Sequence, residues 1–594
     1  MQIRFPWTFP ILFSPHDPNI LYTAGNQVFR TTNEGLSWEA ISPDLTRNDP
    51  EKLKASGGPI TLDTSGAEHY CTIYTLRESI HEAGVFWAGS DDGLVHLSRD
   101  NGETWTNVTP ADLPEWTYIR TVEPSPHDPA TCYLAATRYK LDDNRPFLYK
   151  TTDWGATWTK ITNGISDDDF TRVIRTDPTQ PGLLYAGTET GIYLSFNDGV
   201  NWQRWGSNFP VTPVYDLLVK ENDLVAGTHG RAMWVMDDLT PLHRFARELA
   251  AKKGETPAHL FQPRTTYRLL PDLFAAYFGI GEGRVYGLGL GKNAIVDGKR
   301  GDDGQLAYKV LDAGKSAPQG ALINYYLAET PADDVTVTLE ILDDADRVIR
   351  NYGSKPAGYD KLDDKDKALN PGPWLVTEPG VHRLVWDLRH EGATKVRGNK
   401  TAGEAANGPF VLPGTYTARL TVGDFTQSAT FDVVNDPRVE TTPAELAEQS
   451  KVLHTIFDKV SAIHSNVNTL RDVRTQVQSW ADRLAKKEKG AAVVEAATKL
   501  VKDLDAIEDT LILPGEQEDT FGLAQPARLN AKISSLIPIV GSADRLPTAQ
   551  AQNLFRRYAQ EADDQLTKLH TLLNDDLETL NSLIQDANVP AIVI

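Results

Sequence analysis

An eight-residue pattern, Ser/Thr-x-Asp/Asn-x-Gly-x-x-Trp, occurs four times in the first 240 or so residues: Thr31–Trp38 (TTNEGLSW), Ser98–Trp105 (SRDNGETW), Thr151–Trp158 (TTDWGATW) and Ser195–Trp202 (SFNDGVNW). The four tryptophans lie 67, 53 and 44 residues apart. Four constrained positions recurring at such a period mark stacked copies of one supersecondary unit, none of which buries its apolar face alone. A second repeat runs ahead of the boxes. Turns such as SPHDP (Ser14–Pro18 and Ser125–Pro129) or TDP (Thr176–Pro178) precede strands reading ILYTAG, CYLAAT and LLYAGT, with VFWAGS and LVAGTH in the other units. Pro and Asp make the turn, and alternating large apolar residues make a strand buried in a stack of sheets. Each unit therefore reads as strand a, turn, strand b, loop, strand c, box, strand d. Within the box the Asp or Asn side chain accepts backbone N–H groups, Gly takes a backbone shape other residues resist, and Trp packs between sheets. Asp100, Asp153 and their equivalents are expected to be structural staples, not catalysts.

These boxes resemble those of BNR-repeat (Asp-box) β-propellers. The unit ending GTHGRAMWVMDDLTPL (Gly227–Leu242) is similar to the closing blade of bacterial BNR proteins related to sortilin and to xyloglucan-type glycoside hydrolases. QGALINYYL (Gln319–Leu327), GVHRLVWDLRHEGA (Gly380–Ala393), LPGTYTARLTV (Leu412–Val422) and the terminal RLNAKISSLIPIV…PTAQ…VPAIV extend the likeness over nearly the whole chain. The resemblance implies an extracytoplasmic protein, periplasmic or secreted, although the start Met-Gln-Ile-Arg-Phe-Pro has no charged region followed by an apolar one and so reads as no export signal. Relatives of this kind carry more propeller ahead of this point. Four boxed units and an unboxed fifth give about five blades, at the low end of what closes a ring. Either a small ring closes, or the chain is part of a larger ring whose other half comes from a second chain or a longer precursor.

At 594 residues the chain is several domains long. The expected fold is multidomain and mainly β with α: propeller blades over 1–242, a linker and irregular segment over 243–319, a β-sandwich over 320–438 and a helical bundle over 439–594. A formal charge of −22 repels a phosphate backbone and anionic lipid, so nucleic acid and membrane surfaces are poor partners. Cys71 and Cys132 are too few for a disulfide framework and lack metal-ligand spacing; they read as small buried hydrophobes. No apolar run is long enough to span a bilayer. Nothing matches a Gly-x-Ser-x-Gly elbow, a His-Glu-x-x-His or a Cys-x-x-Cys, and GIGEGRVYGLGLGKN lacks the spacing of a phosphate loop or a dinucleotide fingerprint and reads as flexible loop. No cofactor and no metal is expected.

Beyond the blades, Phe245–Lys253 reads as a short helical linker, and AHLFQPRTTYRLL as an extended stretch packed along the propeller flank. From Gly320 to Asp436 the short alternating strands ALINYYL, VTVTLEILD, HRLVWDL, TYTARLTV and SATFDVV predict a sandwich of immunoglobulin or fibronectin type. Thr442-Pro443-Ala444-Glu445 is a capping box with Pro at the first helical position. A stripe from Leu446 to Leu484 predicts a helix of about 40 residues. Val493–Leu511, Leu529–Val540 and Leu554–Ile584 complete an antiparallel bundle, which would also serve as a homo-oligomer interface.

In the a-b-c-d order the boxes and a–b turns share one face, leaving the b–c and d–a loops on the other for ligands. Aligned behind strand b, the b–c loops put Gln27, Asp91, Arg138, Glu189 and His229 at comparable places, and the d–a loops add Trp116, Arg120, Asp167, Asp168, Asp169 and Arg172. Two functions stay open. The first is a sortilin-like binding or scaffolding protein whose ligand face takes a peptide, glycan or protein. The second is a glycoside hydrolase using Asp91 or Asp92 with Glu189 as its carboxyl pair, Arg138, His229 and Arg231 orienting hydroxyls, and Trp116 stacking on a sugar. A sialidase, with its arginine triad and Tyr–Glu pair, finds no such set.

Overall fold

The computed structural model describes residues 3–587, apart from 63–67, 207, 246–255, 271–282, 290–291, 301–305, 312–316, 333, 364–365, 368–369, 371, 398–404, 406, 486–489 and 514–525. It divides into two compact units, Met1–Lys253 and Gly254–Ile594.

In the first unit the repeat folds into five antiparallel sheets met in chain order. Sheet one is β1 (Ile11–Phe13), β2 (Leu21–Ala24), β3 (Val28–Thr31) and β4 (Glu39–Ala40). Sheet two is β5 (Ile73–Glu78), β6 (Phe86–Ser90), β7 (Val95–Ser98) and β8 (Thr106–Asn107), and sheet three is β9 (Tyr118–Pro124), β10 (Cys132–Arg138), β11 (Asp143–Thr151) and β12 (Thr159–Lys160). Sheet four is β13 (Thr171–Thr176), β14 (Leu184–Thr188), β15 (Ile192–Ser195) and β16 (Gln203–Arg204). The unboxed fifth has three strands, β17 (Val214–Lys220), β18 (Asp223–Thr228) and β19 (Met233–Met236). Four buried clusters join consecutive sheets. Tyr22 and Val28 meet Leu76 and Phe86; Trp87 and Leu97 meet Ile119 and Leu134; Tyr133 and Leu148 meet Leu184 and Trp202; Tyr185 and Leu194 meet Leu217 and Leu224. Among the described residues no such cluster joins the fifth sheet to the first. Ile11 and Phe13 on one end of the row, and Leu218, Met233 and Val235 on the other, are exposed.

The boxes are one geometry used four times. The hydroxyl of Thr31, Ser98, Thr151 and Ser195 accepts the amide of Gly35, Gly102, Gly155 and Gly199 at 3.0, 3.0, 2.9 and 2.8 Å. The side chain of Asn33, Asp100, Asp153 and Asn197 accepts the amide four residues on at 3.0, 2.9, 2.9 and 2.9 Å. All four glycines have φ between +81° and +88°, the left-handed region in which a Cβ is strained. The tryptophan then ties its sheet to the one before: Nε1 of Trp105, Trp158 and Trp202 donates to the carbonyls of Ile41, Val108 and Ile161 at 3.0, 2.7 and 2.7 Å. Histidines stitch the same face in the other direction, since Nε2 of His16, His81 and His127 bonds the carbonyls of Ser79, Ser125 and Asp177 in the next sheet at 2.8, 3.1 and 2.8 Å. A short helix, α1 (Thr240–Arg244), follows the fifth sheet, and the rest of the expected linker helix, 246–253, lies outside the described residues. Both cysteines are buried and free.

The second unit differs from expectation at its start. Within the stretch taken as irregular, β20 (Ala258–Leu260) pairs with β25 (Ala321–Leu327), and β21 (Thr266–Arg268) runs parallel to β30 (Phe425–Asn435). AHLFQPRTTYR therefore contributes strands to the sandwich. The described part of the Gly-rich segment beyond it is strand and not loop: β22 (Gly283–Gly289), β23 (Lys292–Arg300) and β24 (Leu306–Val310) form an antiparallel meander. The sandwich has one sheet of β20, β25 and β28 (Gly380–Trp386), and another of β21, β30, β29 (Gly414–Val422), β26 (Val337–Leu342) and β27 (Val348–Gly353). Ile323, Tyr325, Trp386, Leu339, Leu420 and Phe431 fill the space between them. Pro443–Leu484 then forms the long helix α2, capped at Thr442 by the reciprocal bonds with Glu445 that its sequence predicts. Ala491–Leu511 (α3), Leu529–Ser534 (α4), Leu536–Gly541 (α5), Ala549–Thr571 (α6) and Leu577–Asp586 (α7) pack on it around Ile456, Val460, Ile463, Val467, Leu500, Leu504 and Leu569. Among the described residues no helix is long and apolar enough to cross a membrane.

Candidate functional site

The innermost strand of sheets two to five departs from regular pairing at one place, and the departure is the same each time. β5 slips register between Ile73 and Thr75, β9 between Ile119 and Thr121, β13 between Thr171 and Val173, and β17 between Val214 and Asp216. The residue left over at each bulge is Tyr74, Arg120, Arg172 and Tyr215. A bulge re-aims a side chain that alternation would have sent to one face of the sheet. These four side chains meet. The Arg120 guanidinium lies 4.9, 5.4 and 5.2 Å from the ring centres of Tyr74, Tyr118 and Tyr215, and its Nη1 donates to the Tyr74 hydroxyl at 2.8 Å. Arg172 lies 4.3 Å from the same Tyr215 ring, and the His229 imidazole 4.9 Å from it. Nε and Nη2 of Arg172 both donate to one Glu189 oxygen, at 2.7 and 2.5 Å. Arg120 and Arg172, expected in d–a loops, are strand residues turned into the cluster by these bulges.

Around this centre sit the b–c loop residues. The amides of Asp91, Glu189 and His229 bond the carbonyls of Thr72, Phe170 and Pro213 at 2.9, 3.1 and 2.9 Å, so the three occupy equivalent places. Their side chains have different employment. Asp91 is buried and accepts the amide and hydroxyl of Thr72 at 2.8 and 2.7 Å. Asp92, fully buried, accepts the Arg47 amide at 2.8 Å and the Ser90 hydroxyl at 2.5 Å. No hydrogen bond or ion pair joins Asp91 or Asp92 to Glu189 among the described residues. Arg138 braces the loop beside it, donating to the Glu115 carbonyl and forming an ion pair with Asp143 at 3.3 Å. The Arg231 guanidinium is bonded to its neighbour's carbonyl, Gly230 O, at 3.0 Å. Trp116, with φ +64°, stacks on Tyr70 at 6.1 Å and has the Arg47 and Lys52 cations 5.0 and 5.5 Å from its ring. Asp169 is held by Thr188, Thr190 and Tyr193.

Burial pushes the Asp91 carboxyl up to about 7, with the Thr72 bonds pulling the other way and the charge of Asp92 adding to the rise. The folded chain thus holds a proton on Asp91 between the unfolded carboxyl value, roughly 4, and 7. Native protein binds more protons than unfolded protein in that window, so its contribution to stability is lost as pH rises through it. Asp91→Asn keeps both Thr72 partners and removes the titration. We expect the urea midpoint of the parent to fall more between pH 5 and pH 8 than that of Asp91→Asn; parallel profiles would contradict the assignment. Burial also holds the Tyr118 phenol far above its ordinary range, so it remains a neutral hydroxyl.

Tyr74, Tyr118 and Tyr215 are absent from the sequence-based candidates. The signal for Tyr74 and Tyr215 was an alignment of the inner strands, IYTLRE, YIRTVEP, TRVIRT and VYDLLVK, around one shared irregular position.

No protein-family model matches the chain. A probable oligoxyloglucan-reducing end-specific xyloglucanase of Neosartorya fischeri is 23% identical over 223 residues, 34% of this chain and 26% of that protein. Xyloglucanase Xgh74A of Acetivibrio thermocellus is 27% identical over 149 residues, 23% of this chain and 18% of that protein. The chain therefore spans about a quarter or less of the curated relatives it matches. Among solved structures, a GH74 xyloglucanase from Xanthomonas campestris overlaps at a TM-score of 0.31 and 14% identity, covering 70% of this chain and 57% of that one. The sequence matches agree with the resemblance to xyloglucanase-type propeller proteins that the boxes carry.

Proposed function

We propose that the first unit is an extracytoplasmic binding module whose bulge-lined mouth takes a macromolecular ligand, with the sandwich and bundle as its structural support. One observation carries this reading. The three carboxylates expected to act in hydrolysis are each tied into the frame, Asp91 by Thr72, Asp92 by Arg47 and Ser90, and Glu189 by Arg172, while the arginines and tyrosines converge on one place. Hydrolysis of a glycosidic bond asks for two carboxyls facing across the scissile bond, one of them protonated. Rigid aromatic and guanidinium groups are the usual anchors of a binding surface.

The hydrolase reading rests on two facts: the sequence similarity to two xyloglucanases, and a carboxyl at Asp91 whose proton affinity near neutrality suits a general acid. Incubation of the full chain with xyloglucan and its oligosaccharides separates the two. Under the binding reading no new reducing ends form. Turnover that disappears in Glu189→Gln or Asp91→Asn, with the circular dichroism spectrum retained, would replace binding by hydrolysis.

A further inference from the structure

The four inner strands carry two tiers of charge, and the tiers are treated differently. In the lower one Arg175 is sandwiched by two carboxylates, Glu123 at 3.0 Å and Asp216 at 2.6 Å, and donates its Nε to the Leu217 carbonyl at 2.9 Å. In the upper one Arg120 stands three residues before Glu123 on the same strand and beside Tyr215, the neighbour of Asp216. Among the described residues Arg120 has no carboxylate partner, and its Nε is buried without a hydrogen bond. A buried guanidinium nitrogen with no partner costs stability. In a chain of net charge −22, the inner strands that neutralise Arg175 with Glu123 and Asp216 leave Arg120 without a carboxylate among the described residues. Arg172, against the same tyrosine ring, is already filled by Glu189 and shows what such a position accepts.

We infer that the mouth binds a carboxylate of an acidic polypeptide segment, seated on Arg120 beside the Arg172–Glu189 pair; this rests on the binding role proposed above. The planar guanidinium fork matches a carboxylate in two parallel bonds. Further cations stand around it: Lys140 lies 5.2 Å from the Tyr118 ring, and Arg47 and Lys52 flank Trp116. A pyranose is disfavoured by the same geometry. The rings it would stack on already carry cations, Tyr74, Tyr118 and Tyr215 those of Arg120 or Arg172, and Trp116 those of Arg47 and Lys52 with Tyr70 stacked beside them. Glu189, inside the mouth, also favours a delocalised monoanion over a doubly charged group through like-charge repulsion.

The test is fluorescence anisotropy on the full chain with three probes: a labelled decapeptide alternating Glu and Gly, its Gln/Gly counterpart, and an unlabelled oligogalacturonate as competitor. The Glu peptide is expected to bind, the Gln peptide at least tenfold more weakly, and affinity to fall as salt rises. Arg120→Ala is expected to weaken binding by roughly thirtyfold or more, as for truncation of one partner of a desolvated charge pair. Arg120→Lys, which keeps the charge and guards against a folding defect, should recover part of it, losing the bidentate geometry. Equal binding of the Glu and Gln peptides, or indifference to both Arg120 variants, overturns the carboxylate assignment and leaves the binding role standing. Tighter binding of oligogalacturonate than of the Glu peptide moves the carboxylate to a glycan and overturns the polypeptide assignment. Binding of none of the three at millimolar concentration, together with cleavage of xyloglucan, removes the binding role itself.

Discussion

Replacing Trp202 by alanine is expected to destabilise the first unit by about 3–5 kcal/mol, the usual range for removing a buried large aromatic side chain, whereas the same change at Trp38 should cost little. The two tryptophans hold the same place in the same eight-residue pattern and differ in what precedes them. Trp202 is 4% exposed, lies in the cluster between the third and fourth sheets, and donates to the Ile161 carbonyl. Its loss opens a cavity and leaves that carbonyl without its indole partner. Trp38 belongs to the first sheet, has no earlier described sheet to bond, and is 43% exposed. Trp105 and Trp158, half-buried with one such bond each, should fall between. Urea midpoints of the four alanine variants, followed by far-ultraviolet circular dichroism on the full chain, give the order directly. Four equal effects would mean that the box acts within its own turn and not as a clamp between sheets.

That contrast also shows what the sequence can and cannot say. The boxes were legible because their chemistry is local: a hydroxyl, an amide-accepting side chain and a positive-φ glycine at fixed offsets make the turn wherever they occur. The long helix was legible for the same reason, with its cap at Thr442 and Glu445 and its stripe through Ile456, Val460, Ile463 and Val467. Elements whose identity depends on distant partners were not. Ala258–Leu260 and Thr266–Arg268 are three residues each, too short for a period, and become strands only by pairing with Tyr325–Leu327 and with Val433–Asn435. In the 283–310 meander, glycines at 283, 287, 289 and 298 break the alternation that announces a strand.

The arginine–tyrosine cluster was half legible. Asp91, Glu189 and His229 were placed on equivalent loops by aligning strand b, and Arg120 and Arg172 were named through their place in the d–a loops. The residue at the centre, Tyr215, was invisible, because a bulge breaks the period-two rule from which facing is read. A Tyr in VYDLLVK looks like one more alternating apolar residue until the register slip turns it toward Arg120 and Arg172.

The second large effect is expected in the other unit, at an ion pair between sandwich and bundle. Arg268, on β21, reaches Asp544 in the α5–α6 connection at 2.5 Å, with the two side chains 5% and 3% exposed. Its Nε donates to the Val411 carbonyl at 2.9 Å, and its guanidinium lies 5.5 Å from the Phe410 ring. Removing one partner of a buried pair strands the other charge, a loss of about 3–5 kcal/mol, while replacing both by apolar groups of similar volume is close to neutral. Arg268→Ala should therefore lower the urea midpoint of the helical signal strongly. The double variant R268M/D544L should recover most of the loss, to within roughly 1–2 kcal/mol of the parent, since the desolvation of both charges disappears with their attraction. The cycle separates attraction from packing. Should the double variant be as unstable as R268A, the Val411 bond and the Phe410 contact, and not the pairing of charge, hold this corner of the molecule together.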